Sequence, residues 1–151
     1  MPGVIIPDTS CIIVLNQIGE LDILRMLFGE VLITPLIAEE YGRELPDWIK
    51  VVNPANGDFQ YLLNAMVDLG EASALALAFE HKNSLLILDD VKARRVALKL
   101  GLKFTGTLGI LVEAKLSGHI PLLRPIVDKI RATNFRLTAE LERIILHKTG
   151  E

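Results

Sequence analysis

Four apolar residues, Leu85 to Leu88, run without interruption into two adjacent aspartates, Asp89 and Asp90, and a basic helical pattern follows as far as Arg95. A short apolar run with no polar alternation is the signature of a strand buried on both faces. Strands of that kind occur in parallel sheets with helices on each side. Open sheets of this class bind ligands at the carboxyl ends of their strands, which is where Asp89 and Asp90 stand. Two neighbouring carboxylates repel each other unless a cation or a proton lies between them.

The rest of the chain repeats the strand-then-helix rhythm. Gly3–Pro7 is a β-branched first strand closed by Asp8-Thr9-Ser10. Thr9 or Ser10 can cap a helix over Cys11–Ile18, and Asp8 can serve equally as a cap or as a chemical group. Leu21, Leu24, Leu27 and Phe28 mark a second helical stripe ended by Gly29. Val31–Thr34 is the second strand, and Pro35 opens the next helix. Leu36, Ile37, Glu40 and Tyr41 share one helical face, so Glu40 falls on a buried-side stripe where a carboxylate needs compensation. Pro46 to Val52 is a turn and an edge element. Residues 59–68 read as a helix broken at Leu69-Gly70, and Gly70–Phe79 as a small-residue helix with Glu71, Leu75, Ala78 and Phe79 on its core stripe. Val91–Leu100 follows the central strand, Lys103–Thr105 is the last strand, and Gly106–Gly109 turns into a helix over Ile110–Leu116. Two further helices lie at Pro121–Ile130 and Thr138–Leu146. Thr107 can cap its helix or reach the acidic site.

The 151 residues suit a single domain, 1–151. No apolar stretch is long enough to span a membrane, and no basic segment precedes the first apolar run, so the expected location is cytoplasmic. One cysteine, Cys11, excludes an internal disulfide framework. The net charge of −3 hides a division: residues 1–90 carry 14 acidic and 4 basic side chains, whereas residues 91–151 carry 5 and 12. An acidic site beside a basic surface suits a polyanionic substrate and a metal.

Four acidic positions recur at corresponding places: Asp8 after the first strand, Glu40 early in the helix after the second, Glu71 at a helix start, and Asp89/Asp90 after the central strand. A parallel sheet gathers such positions along one edge. Oxygen-only donors select a hard cation, Mg2+ or Mn2+, and such ions assist water attack on phosphodiesters. A carboxyl pair acting on glycosides is the competing chemistry, but the basic C-terminal third favours a polyanion. There is no GxxxxGK[ST], no complete GxGxxG and no GxSxG. His81, His119 and His147 are scattered without a cysteine partner, which argues against zinc. A phospho-acceptor receiver domain would place its acidic pair after the first strand, where Asp8 is followed by Thr9-Ser10.

PDTS near the start, the P-x4-E of Pro35–Glu40, GEAxALALA at Gly70–Ala78, LDDxxARxxA at Leu88–Ala97 and GTLGxLxxAK at Gly106–Lys115 resemble the PIN-domain superfamily, and within it the predicted nucleic-acid-binding branch DUF3368. The resemblance runs from Val4 to about Leu146. It implies a three-layer α/β/α sandwich around a parallel sheet and a Mg2+/Mn2+-dependent endoribonuclease acting on RNA. It further implies possible service as the toxin of a toxin–antitoxin pair, with a small antitoxin as partner and a homodimer as the common assembly. By position, Asp8, Glu40, Glu71 and one of Asp89 and Asp90 match the family's four acids. The third acid is Glu where Asp is commoner, and the fourth is doubled. On this reading the metal lies on Asp8, Glu71 and Asp89, with Asp90 as a further ligand or as the cap of the basic helix. Glu40 completes the cluster or orients the water. Ser10 and Thr107 support the site, and Arg94, Arg95 and Lys99 are candidate phosphate contacts, Arg94 having a structural role as its alternative. The competing function is a catalytically weak or inactive PIN fold that binds RNA or a protein. The apolar helices of residues 11–28 serve either as a dimer face or as core.

Overall fold

The computed structural model describes residues 3–151. Five strands alternate with nine helices among them. The order is β1 (Val4–Pro7), α1 (Thr9–Gln17), α2 (Asp22–Phe28), β2 (Val31–Ile33), α3 (Pro35–Tyr41), β3 (Ile49–Val51), α4 (Gly57–Leu63), α5 (Leu69–Glu80), β4 (Ser84–Ile87), α6 (Val91–Lys99), β5 (Lys103–Thr105), α7 (Thr107–Leu116), α8 (Arg124–Arg131) and α9 (Ala139–Lys148). Every strand pair is parallel. One ladder runs β1-β4-β5 and a second runs β2-β3, with β2 lying beside β1. The result is a central parallel sheet flanked by helices, a three-layer α/β/α arrangement. Among the described residues no helix is long and apolar enough to cross a membrane.

Burial explains the apolar runs. Ile5, Ile6, Leu86, Ile87 and Leu88 have almost no exposed surface, as strands covered on both faces require. Helix α5 is apolar nearly all round, and residues 72–78 are all buried, so its alanines let it pack closely on the sheet and its neighbours. The apolar residues of α1 and α2, including Cys11, Ile12, Leu15, Ile23 and Leu24, lie in the core. Ile13, Met26, Leu27 and Phe28 of the same helices are only partly buried. Phe79, expected in the core stripe, is instead half exposed and stacks on Phe59 with ring centroids 4.9 Å apart.

Several helices begin earlier than their apolar pattern suggests, and each shift has a polar cause. Helix α1 starts at Thr9 because Asp8, not Thr9 or Ser10, is its N-cap. The expected helix over 59–68 ends at Leu63. Helix α5 then starts at Leu69, where Asp68 accepts from the Glu71 N–H at 2.8 Å and the Glu71 carboxylate reaches back to the Asp68 N–H at 3.3 Å. That is a reciprocal capping box, D-x-x-E in place of S/T-x-x-E. Helix α7 starts at Thr107 rather than Ile110, and its N-terminus is capped from another strand by Asp89.

Candidate active site

The β1–β4 register pairs Pro7 with Ile87, so both strands end at the same level. Asp8 follows the first and Asp90 lies three residues past the second. Both are N-caps. Asp8 Oδ1 accepts from the Cys11 N–H and from the Ser10 hydroxyl, each at 3.0 Å. Asp90 Oδ2 accepts from the Ala93 N–H at 2.9 Å. Capping and chemistry are thus not alternatives for these residues, because one helix-start geometry turns both carboxylates toward the same edge.

That edge holds a cleft of about 370 Å³. Asp8, Glu40, Asp68, Glu71 and Asp90 line it, together with Thr9, Ser10 and Ile13. No lysine, arginine or histidine is among the lining residues. Four sequence candidates, Asp8, Glu40, Glu71 and Asp90, are therefore brought together, without Asp89, which the sequence favoured over Asp90. Glu40 differs from expectation in its surroundings: Ile37 and Tyr41 of its helix are buried, but Glu40 is exposed at the cleft rim. Its Oε1 accepts from the Thr9 hydroxyl at 2.7 Å. Asp68 and Thr9 were not among the sequence candidates. The D-x-x-E spacing ahead of an apolar helix was the available signal for Asp68.

Burial first, and neighbouring negative charge after it, weaken two of these acids. Burial pushes the Asp8 carboxyl up from 3.8 to about 6, and the Asp89 charge adds to this against the hydrogen bonds from Cys11, Ser10 and the Asp89 N–H. The Glu71 carboxyl rises from 4.5 to about 7, first through burial and then through the charges of Asp68, Asp90 and Asp8.

The aspartate pair divides. Asp89 does not line the cleft; its Oδ1 accepts from the Thr107 N–H at 2.9 Å and its Oδ2 from the Thr107 hydroxyl at 2.6 Å. Consecutive side chains at a strand end point apart, and here the first ties β4 to α7 while the second faces the cleft. Of the three basic candidates, Arg94 is engaged within the fold. Its Nε donates to the Leu88 carbonyl at 2.7 Å and its guanidinium lies over the Phe104 ring, 5.4 Å from the centroid. Arg95 and Lys99 are exposed. Gly106 makes this brace possible. A β-carbon there would collide with Arg94 Nη2 and stand 2.9 Å from Asp89 Oδ1. Gly106→Ala is expected to cost about 1–3 kcal/mol through overpacking, read as a lower urea midpoint at unchanged slope.

The donor chemistry fits a hard divalent ion, since only oxygens are offered and nothing in the protein neutralises them. Among the described residues, no three Asp, Glu, His or Cys side chains converge closely enough to hold an ion by themselves. Such spacing suits a cation that keeps several waters and takes only one or two carboxylates directly, as Mg2+ does. No curated protein and no solved structure showed a match to the chain. A family model for the PIN domain DUF3368 matches residues 4–151, and PIN domains are generally nucleases. The chain belongs to the DUF3368 family of PIN domains.

Proposed function

We propose that the chain is a single-domain, Mg2+- or Mn2+-dependent ribonuclease that hydrolyses RNA phosphodiesters at the acidic cleft. The observation that carries this reading is the gathering of five carboxylates in one cleft without a basic side chain, with the pKa values of Asp8 and Glu71 held above the ordinary carboxylate range. One or two of Asp8, Glu71 and Asp90 would hold the ion directly and the rest through its waters, and Asp68 would add charge beside them. A divalent ion there supplies charge neutralisation for the phosphodiester and acidifies a nearby water. Glu40, at the rim and free of other carboxylate partners in its hydrogen bonding, orients the water. Ser10 and the Cys11 N–H keep Asp8 in place. Asp89 and Thr107 fix the end of β4, so that Asp90 keeps its position. Arg95 and Lys99 on the exposed face of α6, which Asp90 caps, offer the phosphate backbone two cations. Toxin service and an antitoxin partner belong to this proposal as the setting in which such an activity would be restrained. A single-stranded RNA should be cut in the presence of millimolar Mn2+ and left intact in EDTA. Intact RNA under both conditions would sink the proposal.

The second reading, an RNA- or partner-binding module without catalysis, draws its support from the open spacing of the carboxylates. It predicts RNA binding that is indifferent to Mn2+.

The raised pKa values give a pH prediction. In the folded state Asp8 and Glu71 hold protons that the unfolded chain has already released, between unfolded values of 3.8 and 4.5 and folded values of about 6 and about 7. The stability of the ion-free protein is therefore fully present below the unfolded values and declines as pH rises through the folded ones. A divalent ion competes with those protons, so the rise in melting temperature on adding Mn2+ should grow from pH 5 to pH 8. A rise that is constant across this range would contradict the assignment of these two carboxylates.

A further inference from the structure

Gly70 occupies the second position of α5, is buried, and has no left-handed backbone conformation. Its backbone therefore accepts any L residue, and alanine is the better helix former. The bare Cα is explained by one neighbour. A β-carbon at 70 would collide with Glu40 Oε1 and stand 2.9 Å from Glu40 Cδ and 3.2 Å from Glu40 Oε2. These are the three nearest atoms, and all belong to Glu40. The same Oε1 accepts from the Thr9 hydroxyl at 2.7 Å.

Glu40 has reason to leave. It is exposed, on a flexible three-carbon stem, beside four other carboxylates. Solvation and like-charge repulsion both favour an outward rotamer. Helices α3 and α5 pack together, as do α1 and α3, which brings Gly70 and Thr9 against the same carboxylate oxygen.

We propose that Gly70 and Thr9 form a seat that holds the Glu40 carboxylate in the cleft, and that residue 70 lacks a side chain for the sake of Glu40's position. Both are positioning residues for the hydrolysis proposed above, and the inference rests on that reading. The seat makes the glycine of the GEA segment part of the functional apparatus, although it touches no substrate.

The test is a double-mutant cycle on RNA cleavage with Mn2+, with melting temperature recorded for each variant. Gly70→Ala should bring kcat down to the level of Glu40→Ala, with a melting temperature equal to or above the wild type's. In the Glu40→Ala background, Gly70→Ala should cause no further loss of kcat, because the only group it displaces is gone. Thr9→Val should lower kcat more than it raises KM, and Thr9→Ser, which keeps the hydroxyl, should recover most of the lost rate. Wild-type kcat in Gly70→Ala, or an additional loss in the Glu40→Ala background, would overturn the seat. Failure of the underlying reading looks different: wild type and Asp8→Asn would then cleave equally, whatever residue 70 is.

Discussion

Asp8→Asn is expected to melt higher than the wild type in the absence of divalent ions and to lose the stabilisation that Mn2+ gives. Burial holds the Asp8 carboxyl up at about 6, so at pH 8 its ionised form destabilises the fold. At about 1.4 kcal/mol per pK unit the penalty is at most about 3 kcal/mol. Asparagine keeps an oxygen for the Cys11 N–H and is as good an N-cap as aspartate. Part of the gain is spent on accommodating the buried NH2 group, which leaves a net gain of about 1–2 kcal/mol, or several degrees in melting temperature for a chain of this size. The same substitution removes a carboxylate from the cleft, and cleavage should fall by about 100-fold or more. Scanning calorimetry at pH 8, with and without Mn2+, checks the stability half. Residues that serve a site at the expense of the fold behave in this way, whereas a purely capping Asp8 would lose stability or leave it unchanged.

Thr107→Val is expected to lower stability without touching the cleft lining. Thr107 is fully buried, and its hydroxyl donates to Asp89 Oδ2 at 2.6 Å. Valine has nearly the same shape but no donor, so the part-buried carboxylate oxygen loses its partner. Hydrogen bonds to charged groups contribute about 1.5–3 kcal/mol, and a loss of that size should appear as a lower urea midpoint with an unchanged slope. Asp89→Ala removes both the side-chain and the backbone link to Thr107 and should cost more. Neither change takes a group from the cleft lining. Activity that remains in the folded fraction would separate this brace from the neighbouring Asp90, whose replacement by asparagine should abolish cleavage while leaving the fold intact.

The parallel sheet was legible because β1, β2 and β4 are apolar runs, as strands covered on both faces require. The positions of Asp8, Glu40 and Glu71 followed from the same logic, since acids placed just beyond parallel strands or in the first turns of the following helices meet at one edge; of the aspartate pair the sequence favoured Asp89, whereas Asp90 lines the cleft. What escaped the sequence was mostly decided by contacts between distant residues. Asp89 caps α7 from 18 positions away, and nothing local to Thr107 records that. Arg94 looks like any basic helical residue until the Leu88 carbonyl and the Phe104 ring are seen beside it. The exposed setting of Glu40 escaped because α3 is short and its buried stripe is carried by Ile37 and Tyr41 alone. Asp68 is different. Its capping box with Glu71 was readable from local spacing, and the Leu69-Gly70 pair, taken as a break, concealed it.

The most direct test of the account is single-turnover cleavage of an end-labelled, single-stranded RNA by the wild type and by Asp8→Asn, each with Mn2+ and with EDTA. The account predicts a defined cleavage pattern for the wild type with Mn2+ and none in the other three reactions. Equal cleavage by the two proteins in Mn2+ would contradict it.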